Sequence, residues 1–415
     1  MNLFSNICLF GISNYYVYRH SIKLSFDSNE KINIIKLYLF LNLVFLILFN
    51  IIGGNLYPSY KLFVFSSSLL MIVTSLIAIL SSFYQIKNEI KNISLIQIII
   101  PTIKVTGLLI GIFFLNKNLN GYSIVSIILI LIFLIGVFFN KLVTIKQYYK
   151  LKKNDNVLTS FKIIKNLAPY AFLNVFFILY TQGNTLLLGI ISTPENAAVF
   201  GIAYLILNTF YIFPTAIFQK VLSHKLIYKM YKDEENFKVI IKYIIELLIQ
   251  VSVVFIIIFL IFSPQLILFV FGESYTKSIS LLNYLLLIMP FRLITILLGN
   301  ILNTDDYIYV RIKLELTLTI VNILLNIMLI NFFGITGVVI SVIITELLLS
   351  IIYLKIVLEK FNIKINLYLF SILIPTYLVI LFGLNMNLLI VLQTIILSIL
   401  TKFSIMRIKI LKKIL

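Results

Sequence analysis

The chain has no tryptophan, a single cysteine (Cys8) and few charged residues, which make up 12% of its 415 residues. One cysteine excludes disulfides within the chain and any metal site built from several cysteines. The two histidines, His20 and His224, are far apart in the sequence, and neither lies in a metal-binding motif. We therefore expect no metal and no cofactor. The absence of tryptophan also means that an aromatic belt at a membrane interface would consist of tyrosine.

Apolar residues make up 61% of the chain, whereas a soluble globular domain has about 45–50% apolar and about 25% charged residues. They form long runs separated by short polar gaps. A helix needs roughly 20 apolar residues to cross a bilayer, and the runs do not alternate in polarity as membrane-spanning strands do. The sequence predicts an all-α, polytopic membrane protein with about twelve transmembrane helices, at residues 33–52, 62–84, 95–115, 122–140, 168–191, 197–221, 239–262, 279–301, 312–331, 335–357, 366–384 and 388–406.

The Lys and Arg residues of the loops lie mostly on one side of the predicted membrane. The segments on that side hold 26 of them, and the opposite loops hold only three, Lys61, Lys117 and Lys277. Because cytoplasmic loops carry the excess of basic residues, we expect both termini and the long basic loops in the cytoplasm. The outward loops are very short, which leaves no room for a soluble catalytic site. Basic residues that are confined to short loops do not suit a nucleic-acid partner.

Three ionisable residues lie near the middle of predicted spans: Lys104, Arg292 and Glu346. Each costs roughly 2.5–3.5 kcal/mol at a helix centre, so each should face a protein interior or a wet cavity. Lys104 and Arg292 follow Pro101 and Pro290, which can loosen the helix. On one interpretation they place positive charge in a central cavity that accepts an anion. On the other they pair with acids such as Glu346 and lock helices together. Glu346 is either the partner of a cation or a proton or ion site.

Other polar residues of the spans have simpler expected roles. Five charged residues lie near the cytoplasmic ends of spans, and we expect their side chains to extend to the membrane surface: Lys242, Glu246, Lys313, Glu315 and Lys355. Several asparagines within the spans are expected to form hydrogen bonds between helices. These asparagines are Asn42, Asn174, Asn184, Asn322 and Asn326.

Residues 322–346 form a pattern of three parts: a helix rich in asparagine, a tight turn with Gly334 and Gly337, and a helix that ends in Thr345-Glu346. This pattern resembles the polysaccharide-transporter branch of the multidrug/oligosaccharidyl-lipid/polysaccharide exporter superfamily, and bacterial O-antigen flippases in particular. Other segments agree with the resemblance in their order along the chain: Phe-Gly-Ile at 10–12 with Arg19, and the runs 198–204 and 271–275. Asn184 departs from it, because many relatives carry an acid at this place.

The resemblance implies two bundles of six helices that face a central cavity, often followed by two more helices. It aligns the first span with the third of the family, so the family's first helix and most of its second are expected to be missing. The longest predicted cytoplasmic connection, at 141–167, is either an ordinary basic loop held at an anionic membrane surface or a joint between two lobes that move against each other. The expected organisation is an N-terminal segment at 1–32 that includes a remnant of the second helix, an N-terminal lobe of four spans at 33–140, the basic cytoplasmic linker at 141–167, a C-terminal lobe of six spans at 168–357, and two extra spans with a basic tail at 358–415.

The function implied by the resemblance is that of a flippase in the bacterial inner membrane. Such a protein moves an undecaprenyl-diphosphate-linked oligosaccharide repeat unit to the outer leaflet during biosynthesis of the O-antigen of lipopolysaccharide or of another surface polysaccharide. The diphosphate is anionic, so the candidate residues of the substrate cavity are Lys104, Arg292, Glu346 and Arg19. The implied partners are the lipid-linked oligosaccharide, membrane lipids, a polysaccharide polymerase and a chain-length regulator. No bond is made or broken, so we do not expect an enzyme.

Two other classes of function stay open. Another exporter of the superfamily would be a drug/cation antiporter or a peptidoglycan-precursor flippase. A cation antiporter needs acidic residues in its cavity, and the N-terminal half has no acid in the middle of a span. A membrane enzyme such as an O-antigen polymerase or ligase would act on the same lipid-linked sugars, but such enzymes typically need a large outward loop, which this sequence lacks.

Overall fold

The computed structural model describes residues 2–22, 28–113, 119–149, 157–304, 307–365, 370–371 and 373–382, and their regular secondary structure is helical throughout. Short 3-10 turns and one π-helical segment, Ala216–Val221, connect or extend some of the α-helices. The α-helices are α1 (Asn2–Leu9), α2 (Ile12–Ser21), α3 (Ser28–Leu56), α4 (Lys61–Ile86), α5 (Ile90–Phe113), α6 (Leu119–Tyr149), α7 (Val157–Ile191), α8 (Pro194–Thr215), α9 (Ser223–Lys232), α10 (Glu234–Phe271), α11 (Lys277–Leu285), α12 (Met289–Ile301), α13 (Ile308–Phe333), α14 (Ile335–Lys360) and α15 (Leu373–Phe382).

The all-α, membrane-spanning architecture is confirmed. The described residues contain ten helical segments that are long and apolar enough to cross a bilayer, and they coincide with the first ten predicted spans. One of these segments, Lys277–Ile301, is built from α11 and α12 in succession. The described part of the eleventh predicted span forms the ten-residue helix α15, and the twelfth predicted span lies outside the described residues.

The chain forms two compact units, Met1–Ile178 and Leu179–Leu415. We call them the N-terminal unit and the C-terminal unit. The division falls inside α7, beyond the predicted linker at 141–167. Helix α6 continues to Tyr149 and α7 begins at Val157, so helix covers most of the basic stretch that separates the fourth and fifth spans. The predicted lobe boundaries and the two interpretations of the linker stay predictions.

The N-terminal unit is built around α4, which packs against α1, α2, α3, α5 and α6. Leu70, Val73 and Ile77 on one face of α4 form an apolar core with Ile103 of α5 and Ile130 of α6. Their spacing of three and four residues on α4 is that of one helix face. The two short helices α1 and α2 also pack against α4. They lie in the segment 1–32, in which the resemblance predicts a remnant of a helix.

The C-terminal unit is built around α12, which packs against α8, α9, α10 and α14. From Met289 to Ile301 nearly every side chain of this helix is buried, including the charged Arg292 and the polar Thr295 and Asn300. A helix that is buried on all sides must find partners for its polar groups inside the protein. The position of α12 is therefore what makes Arg292 an interior charge.

Local signals in the sequence set the ends of several helices. Helix α8 begins with Pro194 after Thr193, whose hydroxyl accepts a hydrogen bond from the Asn196 amide at 3.2 Å. Asp233 caps α10 in the same way, so the acidic run at 233–235 lies at a helix N-terminus, where negative charge is favourable. The side-chain amide of Asn236 also donates to Asp233, which lowers the pKa of that carboxyl below its ordinary value.

The Gly-x-x-Gly turn joins α13 to α14 and needs both of its glycines. Gly334 has φ of 59° and ψ of −134°, a backbone conformation that side chains disfavour. A Cβ added to Gly337 would lie 2.2 Å from the carbonyl oxygen of Leu329, so this glycine lets α14 approach α13 closely. The turn thereby brings the asparagine-rich face of α13 against the Ser/Thr-Glu end of the motif on α14.

Candidate functional site

Two of the predicted site residues meet in the interior of the C-terminal unit. Arg292 of α12 donates a hydrogen bond through Nη1 to Oε1 of Glu346 on α14. Arg292 is 6% exposed and Glu346 is 2% exposed. Removing either charge from water costs several kcal/mol, and only a close partner of opposite sign offsets that cost. The pair matches the interpretation in which Arg292 and Glu346 lock helices together, and the two charges cancel.

A layer of neutral polar side chains lies beside this ion pair. Thr345, the neighbour of Glu346 in the chain, accepts a hydrogen bond from the Tyr180 hydroxyl of α7 at 3.2 Å. It also accepts one from the side-chain amide of Asn322 on α13 at 3.1 Å, and its own hydroxyl donates to the backbone oxygen of Ser341 at 2.8 Å. The hydroxyl of Thr345 therefore links α7, α13 and α14 at one point.

A second set of hydrogen bonds continues this layer through Asn326. Its side-chain amide donates to Oδ1 of Asn184 on α7 at 2.8 Å and to Oδ1 of Asn322 at 3.0 Å. Its own Oδ1 accepts from the Ser341 hydroxyl at 2.8 Å. All four side chains are at most 2% exposed. The structure thus gives Asn184, Asn322 and Asn326 the interhelical role expected for span asparagines.

The layer has a simple origin in the sequence. Each of three helices contributes two polar residues spaced four apart, and residues at this spacing share one helix face. Polar faces of apolar helices associate because hydrocarbon offers their donors and acceptors no partner. The pairs are Tyr180 and Asn184 on α7, Asn322 and Asn326 on α13, and Ser341 and Thr345 on α14.

A second buried charge cluster ties α12, α13 and α14 together, and sequence reasoning missed it. Arg311 Nε donates to Oε1 of Glu315 at 2.7 Å, and the Tyr353 hydroxyl donates to the same oxygen at 2.7 Å. Nη1 of Arg311 donates to the backbone oxygen of Gly299 and to Oδ1 of Asn303. Glu315 is therefore buried and bound, not extended to the membrane surface. The spacing of Arg311 and Glu315 by four residues was the available signal.

Glu246 of α10 differs from its expected position in the same way. It is 1% exposed, so its carboxylate lies in the interior of the C-terminal unit and not at the membrane surface. Lys313 and Lys355, near the ends of α13 and α14, are exposed, as a snorkelling lysine should be. The acids of these spans are therefore buried, whereas these two lysines are exposed.

Lys104 has a different environment, in the N-terminal unit. It lies mid-span on α5 and is exposed on the surface of that unit, together with Pro101, Thr102 and Val105. Among residues 31–194 the sequence has only two acids, Glu89 and Asp155, and neither lies in the interior of a span. No ion pair of Lys104 occurs among the described residues. Its charge is therefore not cancelled by an acid of its own unit's spans.

Arg19, the fourth candidate, is already engaged at the end of α2. Its Nη1 donates to both carboxylate oxygens of Glu30, at 3.2 and 3.1 Å, and to the Tyr15 hydroxyl at 3.3 Å. The guanidinium also lies over the Tyr15 ring, 5.8 Å from its centroid. Asn166 of α7 donates to the same hydroxyl at 3.3 Å. Arg19 and Tyr15 together thus connect α2, α3 and α7 within the N-terminal unit.

The structure therefore joins only one pair of the four candidates. Arg292 and Glu346 are together in the C-terminal unit, whereas Lys104 and Arg19 lie on different helices of the N-terminal unit. Among the described residues, no three His, Cys, Asp or Glu side chains are grouped so that they could hold a metal ion. Whether the four residues bind substrate stays a prediction.

Comparison with known proteins places the fold. No protein-family model matches the chain, and no curated protein does. Solved structures do match. An outward-facing multidrug resistance MATE family transporter of the MOP superfamily has a TM-score of 0.63 at 10% identity, covering 87% of this chain and 85% of that one. A MOP superfamily transporter from Pyrococcus furiosus, described as having a binding pocket of reversed polarity, has a TM-score of 0.65 at 12% identity, covering 87% and 84%.

The lipid II flippase MurJ, in an inward closed conformation, is similar over a larger part of the chain. The similarity covers 97% of this chain and 89% of MurJ, with a TM-score of 0.56 and 17% identity. This chain therefore has the fold of the MOP superfamily transporters, which the pattern at 322–346 had indicated. The solved structures named here are those of membrane transporters and of a lipid flippase.

Proposed function

We propose that the protein is a membrane transporter that moves an anionic, lipid-linked oligosaccharide across the bacterial inner membrane. The substrate is an undecaprenyl-diphosphate-linked repeat unit for O-antigen or another surface polysaccharide. The fold of MOP superfamily transporters supports the transport activity. The resemblance of residues 322–346 to polysaccharide transporters supports the choice of substrate.

One observation carries the choice of an anionic substrate. Of the three mid-span ionisable residues, Arg292 and Glu346 neutralise each other, and Lys104 keeps a charge that no acid within the spans of its own unit cancels. An uncompensated cation at membrane depth is expensive unless it serves an ion or a substrate. A diphosphate suits such a cation, and a cationic drug does not. We assign Lys104 the role of binding the diphosphate.

The test replaces Lys104 in a strain that lacks its own repeat-unit flippase. We expect Lys104→Gln to abolish most surface polysaccharide at equal protein level, and Lys104→Arg to retain it, because arginine keeps the charge. Lys36→Gln, which removes an exposed lysine at the start of α3, is the matched control and should have no effect. Full surface polysaccharide in the Lys104→Gln strain would remove the assigned role of Lys104.

A peptidoglycan-precursor flippase is the second candidate, because the similarity to the lipid II flippase MurJ extends over 97% of this chain. This candidate shares the anionic lipid-linked chemistry of the first, and Lys104 would serve it equally. Expression in a strain depleted of its lipid II flippase discriminates the two. Rescue of growth there, without rescue of surface polysaccharide in the repeat-unit flippase mutant, would favour the peptidoglycan precursor. Efflux of a cationic dye driven by a pH gradient would instead identify an antiporter.

A further inference from the structure

An apolar cavity of about 530 Å³ lies in the N-terminal unit. Its walls come from the end of α3, the 3-10 turn Pro58–Tyr60, the start of α4 and the first residue of α6. Helices α3 and α6 both pack against α4, and the cavity lies over α4 between them. Its volume lies within the range of about 300–1,000 Å³ that is typical of small-molecule sites.

The cavity opens at the surface of the unit, because several of its wall residues are exposed there. Ile52 is 54% exposed and Leu119 is 45% exposed, and both line the cavity. The inner wall of the cavity is formed by Phe63 and Val64 of α4. Phe63 is half-buried and Val64 is buried. A ligand can therefore enter sideways between α3 and α6.

The walls of the cavity are almost wholly apolar. A bound water needs two to four polar partners, and the lining offers polar side-chain groups only on Tyr57, Tyr60 and Ser67. An exposed apolar surface of this kind contacts the apolar medium that surrounds the protein. For helices that cross a bilayer, that medium is lipid hydrocarbon.

The two tyrosines lie at the end of the cavity that faces the membrane interface. They fall at the junction of the candidate spans Glu30–Asn55 and Pro58–Ile86, at the end of the unit that the distribution of Lys and Arg places outside the cytoplasm. Tyrosine rings are enriched at headgroup level, where one end is apolar and the other is wet. From Lys61 to Ser67, helix α4 rises about 9 Å into the membrane. The cavity therefore runs from headgroup level into the hydrocarbon.

The setting of the cavity favours a lipid chain as the occupant. Its walls are apolar, it opens on the surface of helices that cross the bilayer, and two tyrosines lie at its headgroup end. We propose that this cavity holds an acyl chain of a phospholipid of the surrounding leaflet, with Tyr57 and Tyr60 beside its headgroup. This site is separate from the residues proposed to bind the transported substrate.

The absence of tryptophan from the chain makes a fluorescence test possible. Phe63→Trp places a single tryptophan in the wall of the cavity. Phe65→Trp is the matched control, because Phe65 is two residues away on the same helix, is 43% exposed and does not line the cavity. Each full-length variant is reconstituted in phosphatidylcholine vesicles with brominated acyl chains, which quench tryptophan on contact. It is then extracted into mild detergent with limited washing.

In vesicles we expect quenching of both tryptophans, since both meet lipid chains. After extraction we expect Phe63→Trp to keep at least half of its quenching and Phe65→Trp to lose most of it. Adding Ser67→Phe, which fills the cavity, should remove the retained quenching of Phe63→Trp. Monodisperse elution and unchanged helical circular dichroism establish that each variant is folded, and Leu119→Trp replaces Phe63→Trp if the latter does not fold.

Three results would overturn the proposal. Equal loss of quenching from both tryptophans after extraction would mean that the cavity retains no chain. Relief of the quenching by undecaprenyl phosphate, but not by unbrominated phosphatidylcholine, would assign the cavity to an isoprenoid. Protection of Phe63→Trp from brominated lipid already in the vesicles, together with dimeric elution, would assign it to a second copy of the chain.

Discussion

Arg292 and Glu346 lie 54 residues apart in the chain, and they meet through a buried hydrogen bond between Nη1 and Oε1. Because both groups are almost fully buried, each charge is tolerated only through the other. This relationship makes the pair a structural element of the C-terminal unit. Among the described residues, the mid-span positive charge that is left for a substrate is therefore that of Lys104.

We predict that Arg292→Ala destabilises the protein by about 3–5 kcal/mol, because it leaves the Glu346 carboxylate buried without its partner. The double variant Arg292→Ala with Glu346→Ala should recover part of this loss, since no uncompensated charge is left. The free energy of unfolding, measured by steric trapping in bicelles, gives the coupling of the two residues. Additive effects of the two single substitutions would mean that the pair does not act as a unit.

Asn326 is predicted to be a key residue of the neutral polar layer. Asn326→Ala removes side-chain hydrogen bonds to Asn184, Asn322 and Ser341. Interhelical hydrogen bonds in membranes average about 0.6 kcal/mol and reach about 1.7 kcal/mol, so we expect a total loss of about 1–3 kcal/mol of stability. Asn331→Ala is the control, because the exposed Asn331 donates only to the Ile327 oxygen of its own helix in the described network. Equal effects of the two substitutions in the same unfolding measurement would contradict the role of Asn326.

The buried phenol of Tyr353 is predicted to stabilise the Arg311–Glu315 cluster. Tyr353→Phe keeps the packing of the ring and deletes one hydrogen bond to a charged acceptor, which contributes about 1.5–3 kcal/mol. Tyr309→Phe removes a hydroxyl from a side chain that is 64% exposed and should change stability little. Thermal unfolding in detergent, followed by circular dichroism, measures both. A melting temperature unchanged by Tyr353→Phe would show that the hydroxyl contributes nothing to the cluster.

The close approach of α14 to α13 predicts that Gly337 does not tolerate a side chain. In Gly337→Ala the new Cβ would lie 2.2 Å from the Leu329 oxygen, so the two helices must separate. We expect a lower melting temperature and a weaker polar layer. Gly183→Ala, on α7, adds its Cβ where no other atom lies within 4 Å, and it should be neutral or slightly stabilising. Comparable melting temperatures for both variants would contradict the close approach of α14 to α13 at Gly337.

Part of this molecule was readable from local sequence. The spans follow from the length and hydropathy of each run, and these are properties of the run itself. The polar faces were also local, since Asn322 and Asn326, or Ser341 and Thr345, are four residues apart and must share a helix face. The Gly-x-x-Gly pattern predicted a tight turn between two helices at Gly334. The structure showed why Gly337 must lack a Cβ.

The candidate site was only half predictable, because a sequence does not state which helix faces meet. Arg292 and Glu346 were each recognised as interior charges, and their pairing was one of two interpretations until α12 was seen to pack against α14. Glu315 was expected at the membrane surface, because its position near a span end is indistinguishable from that of an exposed residue. The buried Tyr353 hydroxyl and Arg311 guanidinium draw it inward.

By itself, then, the sequence determined that the protein lies in a membrane, where its helices are and which side of each helix is polar. These properties depend on residues within a turn or two of one another. Only the tertiary structure decided which charges are satisfied. Whether a buried charge such as Arg292 is neutralised or available depends on a partner on another helix, and that partner is fixed by how the helices pack.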